Sequence, residues 1–117
     1  MNNVLKDKAY QFAIRIVKLT KYLQEEKKEF ILSKQILRSG TAIGALIAES
    51  EYAQSKPDFI SKLHISIKEA NETNYWLNLL KDSNYLNDKM FNSINPDLIE
   101  LLKILTTSIK TAKENNA

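Results

Sequence analysis

Apolar residues recur every three or four positions in four separate stretches of this 117-residue chain. The first of these stripes consists of Ala9, Phe12, Ile16, Leu19 and Leu23. This spacing puts the apolar side chains on one face of an α-helix, because a helix turns once every 3.6 residues. Two glycines and two prolines are too few for the turns of a β-sandwich or an α/β fold. We therefore predict an all-α protein.

The stripes predict helices over residues 3–26, 33–54, 56–83 and 96–114. Ser33 is the expected N-cap of the second helix, and Ser55, with Asp58 three residues later, resembles a capping box for the third. Asn95 followed by Pro96 predicts the start of the fourth helix, after a connection with at most one short helical turn around residues 88–92. Four helices joined by short links form an antiparallel up-down-up-down four-helix bundle, a single domain over residues 1–117.

Composition excludes several classes of protein. The chain has no cysteine, so it has neither disulfides nor thiolate metal sites nor a cysteine nucleophile. The N-terminal residues lack the apolar core of a signal peptide, and no apolar run approaches the roughly 18 residues that span a bilayer. We expect a cytoplasmic protein.

Positive charge is concentrated near the N-terminus. Residues 1–38 contain nine Lys/Arg and four Asp/Glu, a net charge of +5, whereas residues 39–117 contain eight and ten, a net charge of −2. Basic helices of this kind attract polyanions, although lysine-rich solvated helices are common. The candidates for contact with RNA or DNA lie on the first helix and are Lys8, Arg15, Lys18 and Lys21.

The second helix contains the stretch RSGTAIGALIAES, in which Gly40, Gly44 and Ala48 are spaced four residues apart. This spacing is also found where membrane helices pair, but the apolar run here is only eight residues long and is flanked by Arg38 and Glu49. We interpret the small residues as a surface for close helix packing, because each mid-helix glycine costs about 1 kcal/mol in helix propensity. The sequence leaves open whether the neighbouring helix belongs to the same chain or to another subunit.

Acidic residues on the third helix suggest an ion pair rather than a metal site. Glu69 and Glu72 share one side of that helix, and a cross-helix pair of either residue with Arg38 is expected. A di-iron bundle needs two Glu-x-x-His motifs, whereas this chain has a single histidine, His64, and no such motif. We therefore assign no metal and no cofactor.

No motif predicts catalysis. His64 lies at the rim of the apolar stripe without a serine or cysteine elbow, and no glycine-rich nucleotide-binding pattern is present. Tyr75 and Trp76 resemble a base-stacking platform, but the proximity of Trp76 to Leu77 and Leu80 favours packing in the core or an interface. We assign no catalytic residue and no small-molecule substrate.

The paired segments RSGTAIGALIAES and DFISKLHISIKEANETNYWLNLL resemble the 23S rRNA intervening-sequence protein family, the S23-like bacterial four-helix bundle proteins. The resemblance is strongest between Arg38 and Leu80. It implies a small bundle that assembles as a ring-shaped homopentamer, in a family most of whose members have no established biochemical role. A related branch, the accessory proteins of diversity-generating retroelements, forms basic pentameric barrels that bind reverse transcriptase and nucleic acid.

Two functions remain open at the level of the sequence. The first is a non-enzymatic assembly or scaffold protein that binds itself, and the second is an accessory protein that contacts RNA or DNA through the first helix. The wide apolar faces of the first and fourth helices favour the former, and the basic N-terminal region favours the latter. We expect that Gly44→Leu disrupts folding or assembly.

Overall fold

The computed structural model describes residues 3–115, which form four helices and no strand. They are α1 (Asn3–Glu25), α2 (Leu32–Ser50), α3 (Lys56–Asp82) and α4 (Asp88–Glu114). The molecule measures 52 × 22 × 19 Å, as expected for helices lying side by side. The predicted all-α four-helix fold is confirmed.

Each helix packs against two others, so that α1 lies between α2 and α4, and α3 lies between the same two helices. Consecutive helices run antiparallel. Along the α2–α3 contact, for example, Ser66 donates to the carbonyl of Ile43, and Thr73, two turns later, donates to Ser39, one turn earlier. The bundle therefore has the up-down-up-down arrangement.

The core is one cluster of mostly aliphatic side chains that also contains the buried Phe12. Ile16, Ile43, Leu63 and Leu98, one from each helix, are completely buried in it. Burying such side chains contributes about 1.5–3 kcal/mol each, which makes the apolar stripes the main source of stability.

The prediction that the fourth helix begins near Pro96 is wrong. Helix α4 begins at Asp88, and the side chain of its N-cap, Asn87, accepts a hydrogen bond from the Met90 amide at 2.8 Å. Pro96 lies inside the helix, where it removes the hydrogen bond to the carbonyl of Asn92. Burial of Ile94, just before the proline, holds the first two turns in the helix despite that loss.

The predicted start and end of the second helix also need correction. Ser33 is not the N-cap, because α2 begins at Leu32 and Ser33 is buried in its first turn. At its other end α2 stops at Ser50, four residues before the predicted boundary, and residues 51–55 form the corner to α3. The N-cap of α3 is Ser55 as predicted, since its hydroxyl accepts the amide hydrogen of Asp58 at 3.1 Å.

Candidate functional site

The glycines of α2 bring this helix close to α1 of the same chain. A Cβ atom built on Gly40 would lie 2.8 Å from Cγ1 of Ile16, and one built on Gly44 would lie 3.3 Å from the carbonyl oxygen of Ala9. The first distance is shorter than van der Waals contact, so only glycine allows Ile16 to pack there. The neighbour that the sequence left unassigned is therefore α1.

Beyond this close contact, α1 and α2 expose a surface on which small and apolar residues lie among the polar Lys6, Asp7, Gln11 and Thr41. A groove of about 630 Å³ lies there, with Gly44, Ala45 and Ala48 on the α2 side and Tyr10 and Ala13 on the α1 side. Tyr10 is 66% exposed and Val17, on the same side of α1, is 45% exposed. We call this surface the α1–α2 face and define it by Tyr10, Ala13, Val17, Gly44, Ala45 and Ala48.

Arg38 lies between both predicted acidic partners. Its guanidinium contacts Glu69 at 3.2 Å and forms a second ion pair with Glu72. Trp76 donates its indole N–H to the same Glu72 carboxylate at 3.1 Å. The sequence left the choice between Glu69 and Glu72 open, and the structure shows that Arg38 contacts both.

These hydrogen bonds shift the acidities of both partners. The bond that Arg38 donates to Glu72 raises the pKa of the guanidinium, and the bonds from Trp76 and then Arg38 lower the pKa of Glu72. The Arg38 side chain is half exposed, so the ion pairs are screened by water. They connect α2 to α3 at the level of Arg38.

The basic residues predicted on the first helix fall into two pairs. Lys8 forms an ion pair with Glu100 at 3.1 Å, and Arg15 forms one with Asp97 at 2.6 Å. Lys18 and Lys21 are exposed and have no acidic partner among residues 3–115. The structure thus places the four cations on one helix but leaves only two of them unpaired.

His64 and the aromatic pair have surroundings that fit structural roles. His64 is exposed on α3, and Trp76 is half buried against the core, with Tyr75 packed edge-on against its ring. No group of three or more metal-binding side chains occurs within residues 3–115. In the same part of the chain, no helix is long and apolar enough to cross a membrane.

Comparison with known proteins connects this geometry to a family. A family model described as "23S rRNA-intervening sequence protein" matches residues 1–107. The chain belongs to this family. It is also similar to a protein of unknown function from the S23 ribosomal protein family of Bacteroides thetaiotaomicron VPI-5482, known from a crystal structure. The two chains are 57% identical, the match covers 92% of this chain and 96% of that chain, and the TM-score is 0.91. No curated protein matches the chain.

One buried carboxylate of the chain, that of Glu29, was not found by sequence reasoning. The side chain of Glu29 folds inward at the α1–α2 corner and accepts the amide hydrogens of Ser33 at 2.7 Å and Ile31 at 3.2 Å. It thereby does the capping that the sequence assigned to Ser33. Burial alone raises the pKa of Glu29, but hydrogen bonds from the backbone of residues 31–33 outweigh it, and the net pKa is lowered. A left-handed Lys28, with φ of 54°, turns the chain at this point.

Sequence reasoning also missed the partners of Arg15 on α4. The guanidinium of Arg15 donates to the carbonyl oxygen of Ser93 at 2.9 Å and to its hydroxyl at 2.6 Å, in addition to the Asp97 carboxylate. Ser93 and Asp97 were not detectable from the sequence because residue 93 was assigned to a connection. Ser93 and Asp97 are four residues apart and lie on the same side of α4, but only because α4 continues through Pro96.

Proposed function

We propose that this protein is a non-enzymatic assembly or scaffold protein that associates with further copies of itself through the α1–α2 face. The observation that supports the proposal is the exposure of Tyr10 and Val17 beside the groove of Gly44, Ala45 and Ala48. Clustered apolar side chains exposed in this way mark sites of protein association. The residues that define the face span about 11 Å along α1, so they form the apolar centre of a contact that must extend over neighbouring residues to reach the ~800 Å² per partner of a stable interface.

A ring of five subunits is the assembly that the family resemblance implies. In a closed ring each subunit contributes two different surfaces, so the α1–α2 face must contact another part of the next subunit. Helix α3 offers such a second surface, because Ile65 and Tyr75 are exposed on it. The proposal is therefore a head-to-tail contact in which small residues of α2 receive apolar side chains of the neighbour.

Ala45→Glu tests the self-association. Ala45 is exposed in the groove, so glutamate there should leave the fold intact but puts a charge into the contact. We expect light scattering at micromolar concentration to report an oligomer for the wild type and a monomer for the variant. Thr107→Glu, at an exposed position of α4, is the matched control and should remain oligomeric. A monomeric wild type would refute the proposal.

A second candidate function is contact with RNA or DNA through α1. Its support is the net charge of +5 on residues 1–38 together with the unpaired, exposed Lys18 and Lys21. Neutralisation of Lys8 and Arg15 by Glu100 and Asp97 weakens it, because those two cations are already engaged within the chain. Binding of single-stranded DNA that falls steeply with salt is the measurement that tests this alternative.

A further inference from the structure

Ion pairs bridge α1 and α4 along one half of their contact, and a groove separates the two helices along the other half. In the bridged half, Lys8 pairs with Glu100 and Arg15 pairs with Asp97. Past Arg15, towards the C-terminal end of α1, the two helices leave a groove of about 600 Å³ between them. We call it the α1–α4 groove.

The rim of the α1–α4 groove is cationic on both sides. Lys18 lines it from α1 and Lys89 lines it from α4, whereas Arg15, at the end of the groove, is already paired with Asp97. None of the lining residues is acidic. Lys18 and Lys89 have no ion-pair partner among residues 3–115. Like charges on the two sides of a cleft raise the local positive potential and attract a negatively charged ligand.

The floor of the same groove is apolar. Leu19 and Ile94 reach it from the core, and the half-buried Tyr22 and Met90 cover the remainder. Met90 has a flexible and polarisable side chain, which adapts to ligands of different shape. A ligand that satisfies both rim and floor must therefore combine negative charge with an apolar surface.

We propose that the α1–α4 groove binds an acidic amphipathic helix of a partner protein. A groove between two antiparallel helices has the shape that receives the apolar face of a third helix, and the lysines then meet the acidic residues at its edges. A small apolar ligand fits less well, because such ligands are held in enclosed cavities and this groove is open to solvent. A nucleic acid would use the lysines but not the aliphatic floor.

The proposal goes beyond self-association, because the groove lies on the opposite side of α1 from α2 and is formed by a single chain. It gives the scaffold a site for a second protein, whose acidic charge complements the basic N-terminal region. The two proposals are separable in one experiment. Binding measured on the Ala45→Glu variant reports on the groove whether or not the subunits associate.

The probe is a fluorescein-labelled synthetic peptide of about 20 residues, long enough for several helical turns, with leucines at i, i+3, i+4 and i+7 and glutamates elsewhere. Fluorescence anisotropy should give a dissociation constant on the order of 10 μM at low salt, weakening as salt screens the lysines. A scrambled peptide of the same composition, whose leucines do not share a face, should bind at least about tenfold more weakly. A peptide with lysine in place of glutamate should not bind.

Lys18→Glu combined with Lys89→Glu should weaken binding by about tenfold or more, because both rim charges are reversed. Lys103→Glu with Lys110→Glu is the matched control, with the same change in net charge on an exposed part of α4. Lys103 lies nine residues beyond Ile94, about 13 Å along the helix, which is farther than the ~10 Å screening length at 0.1 M salt. The control variant should therefore lose less than about twofold in affinity for the peptide. Met90→Ala tests the floor and should weaken binding about threefold.

Three results would overturn the proposal. Equal losses in the two double variants would show general electrostatic attraction rather than a groove. Equal binding of the scrambled peptide would show that no helical face is recognised. Binding of a single-stranded DNA oligonucleotide, with no binding of the acidic peptide up to about 100 μM, would assign the cations to nucleic acid instead.

Discussion

Single residues decide how closely the helices of this bundle approach one another. Gly40 is the clearest case, because a side chain there would overlap the completely buried Ile16. The contact could not be predicted from the sequence, since the spacing of Gly40, Gly44 and Ala48 indicates a small surface but not what lies against it. The two ion pairs of Arg38 were easier to anticipate, because opposite charges on neighbouring helices restrict the choice of partners.

Gly40→Ala is expected to destabilise the bundle, although alanine is the better helix former by about 1 kcal/mol. The added methyl group must displace Ile16, which costs about 1–3 kcal/mol in a packed core. The double variant Gly40→Ala/Ile16→Ala should lose less stability than the two single variants lose together. The difference should exceed about 0.5 kcal/mol in the free energy of unfolding, measured with urea. Additive effects would contradict the contact.

Gly44→Leu should also destabilise the bundle, because its Cβ meets the backbone of Ala9.

Glu29 makes the stability of the α1–α2 corner depend on pH. We expect Glu29→Ala to lower the free energy of unfolding by about 1–2 kcal/mol near neutral pH, because the first amides of α2 lose their acceptor. The lowered pKa in the folded state means that the carboxylate stabilises the fold above its ordinary pKa of 4.5. That contribution is lost as the pH falls through the folded-state value.

Urea unfolding of the wild type and of Glu29→Ala, measured at a series of pH values, tests this expectation. The difference in stability between them should be largest near neutral pH and should shrink below about pH 4. Glu26→Ala, at an exposed neighbouring position, is the control and should change stability by less than about 0.5 kcal/mol. A difference that stays constant down to acidic pH would show that the carboxylate charge is not what caps α2.

At the scale of whole elements, the apolar stripes predicted all four helices but not all of their ends. Asn95–Pro96 has the pattern of a helix start, yet α4 begins eight residues earlier at Asp88. Propensity suggested a break at the proline, whereas tertiary packing of Phe91 and Ile94 against the core continues the helix through it. Local sequence patterns predicted a helix end correctly where tertiary packing does not oppose them, as at Ser55, the N-cap of α3.

Pro96→Ala is expected to stabilise α4, because it restores the amide that bonds to the carbonyl of Asn92. The gain should be up to about 3 kcal/mol and should appear as a raised melting temperature in circular dichroism. Pro57→Ala is the control, since Pro57 lies in the first turn of α3, where no intrahelical bond is missing, and should change stability by less than about 0.5 kcal/mol. A loss of stability in Pro96→Ala would show that the packing of Ile94 depends on the proline.

At the scale of the whole molecule, the sequence predicted the class and direction of the helices, but not the surfaces between helices distant in the chain. The α1–α2 face was partly predictable, because Tyr10, Ala13 and Val17 widen the apolar stripe of the first helix beyond what one neighbour needs. The α1–α4 groove was not, because its two walls are separated by about seventy residues and one of them was assigned to a loop. Composition records how many charges a chain has, and only the fold determines which of them share a cleft.

The long sequence separation between Arg15 and its partners has a consequence for folding during synthesis. Ser93 and Asp97 follow Arg15 by 78 and 82 residues, whereas α1 meets α2, and α2 meets α3, across short corners. A chain that emerges from the ribosome N-terminus first can therefore form its first three helices long before α1 acquires its second neighbour. Until then the flank of α1 that contains Arg15 and Lys18 is uncovered, and the docking of α4 is the step that completes the bundle.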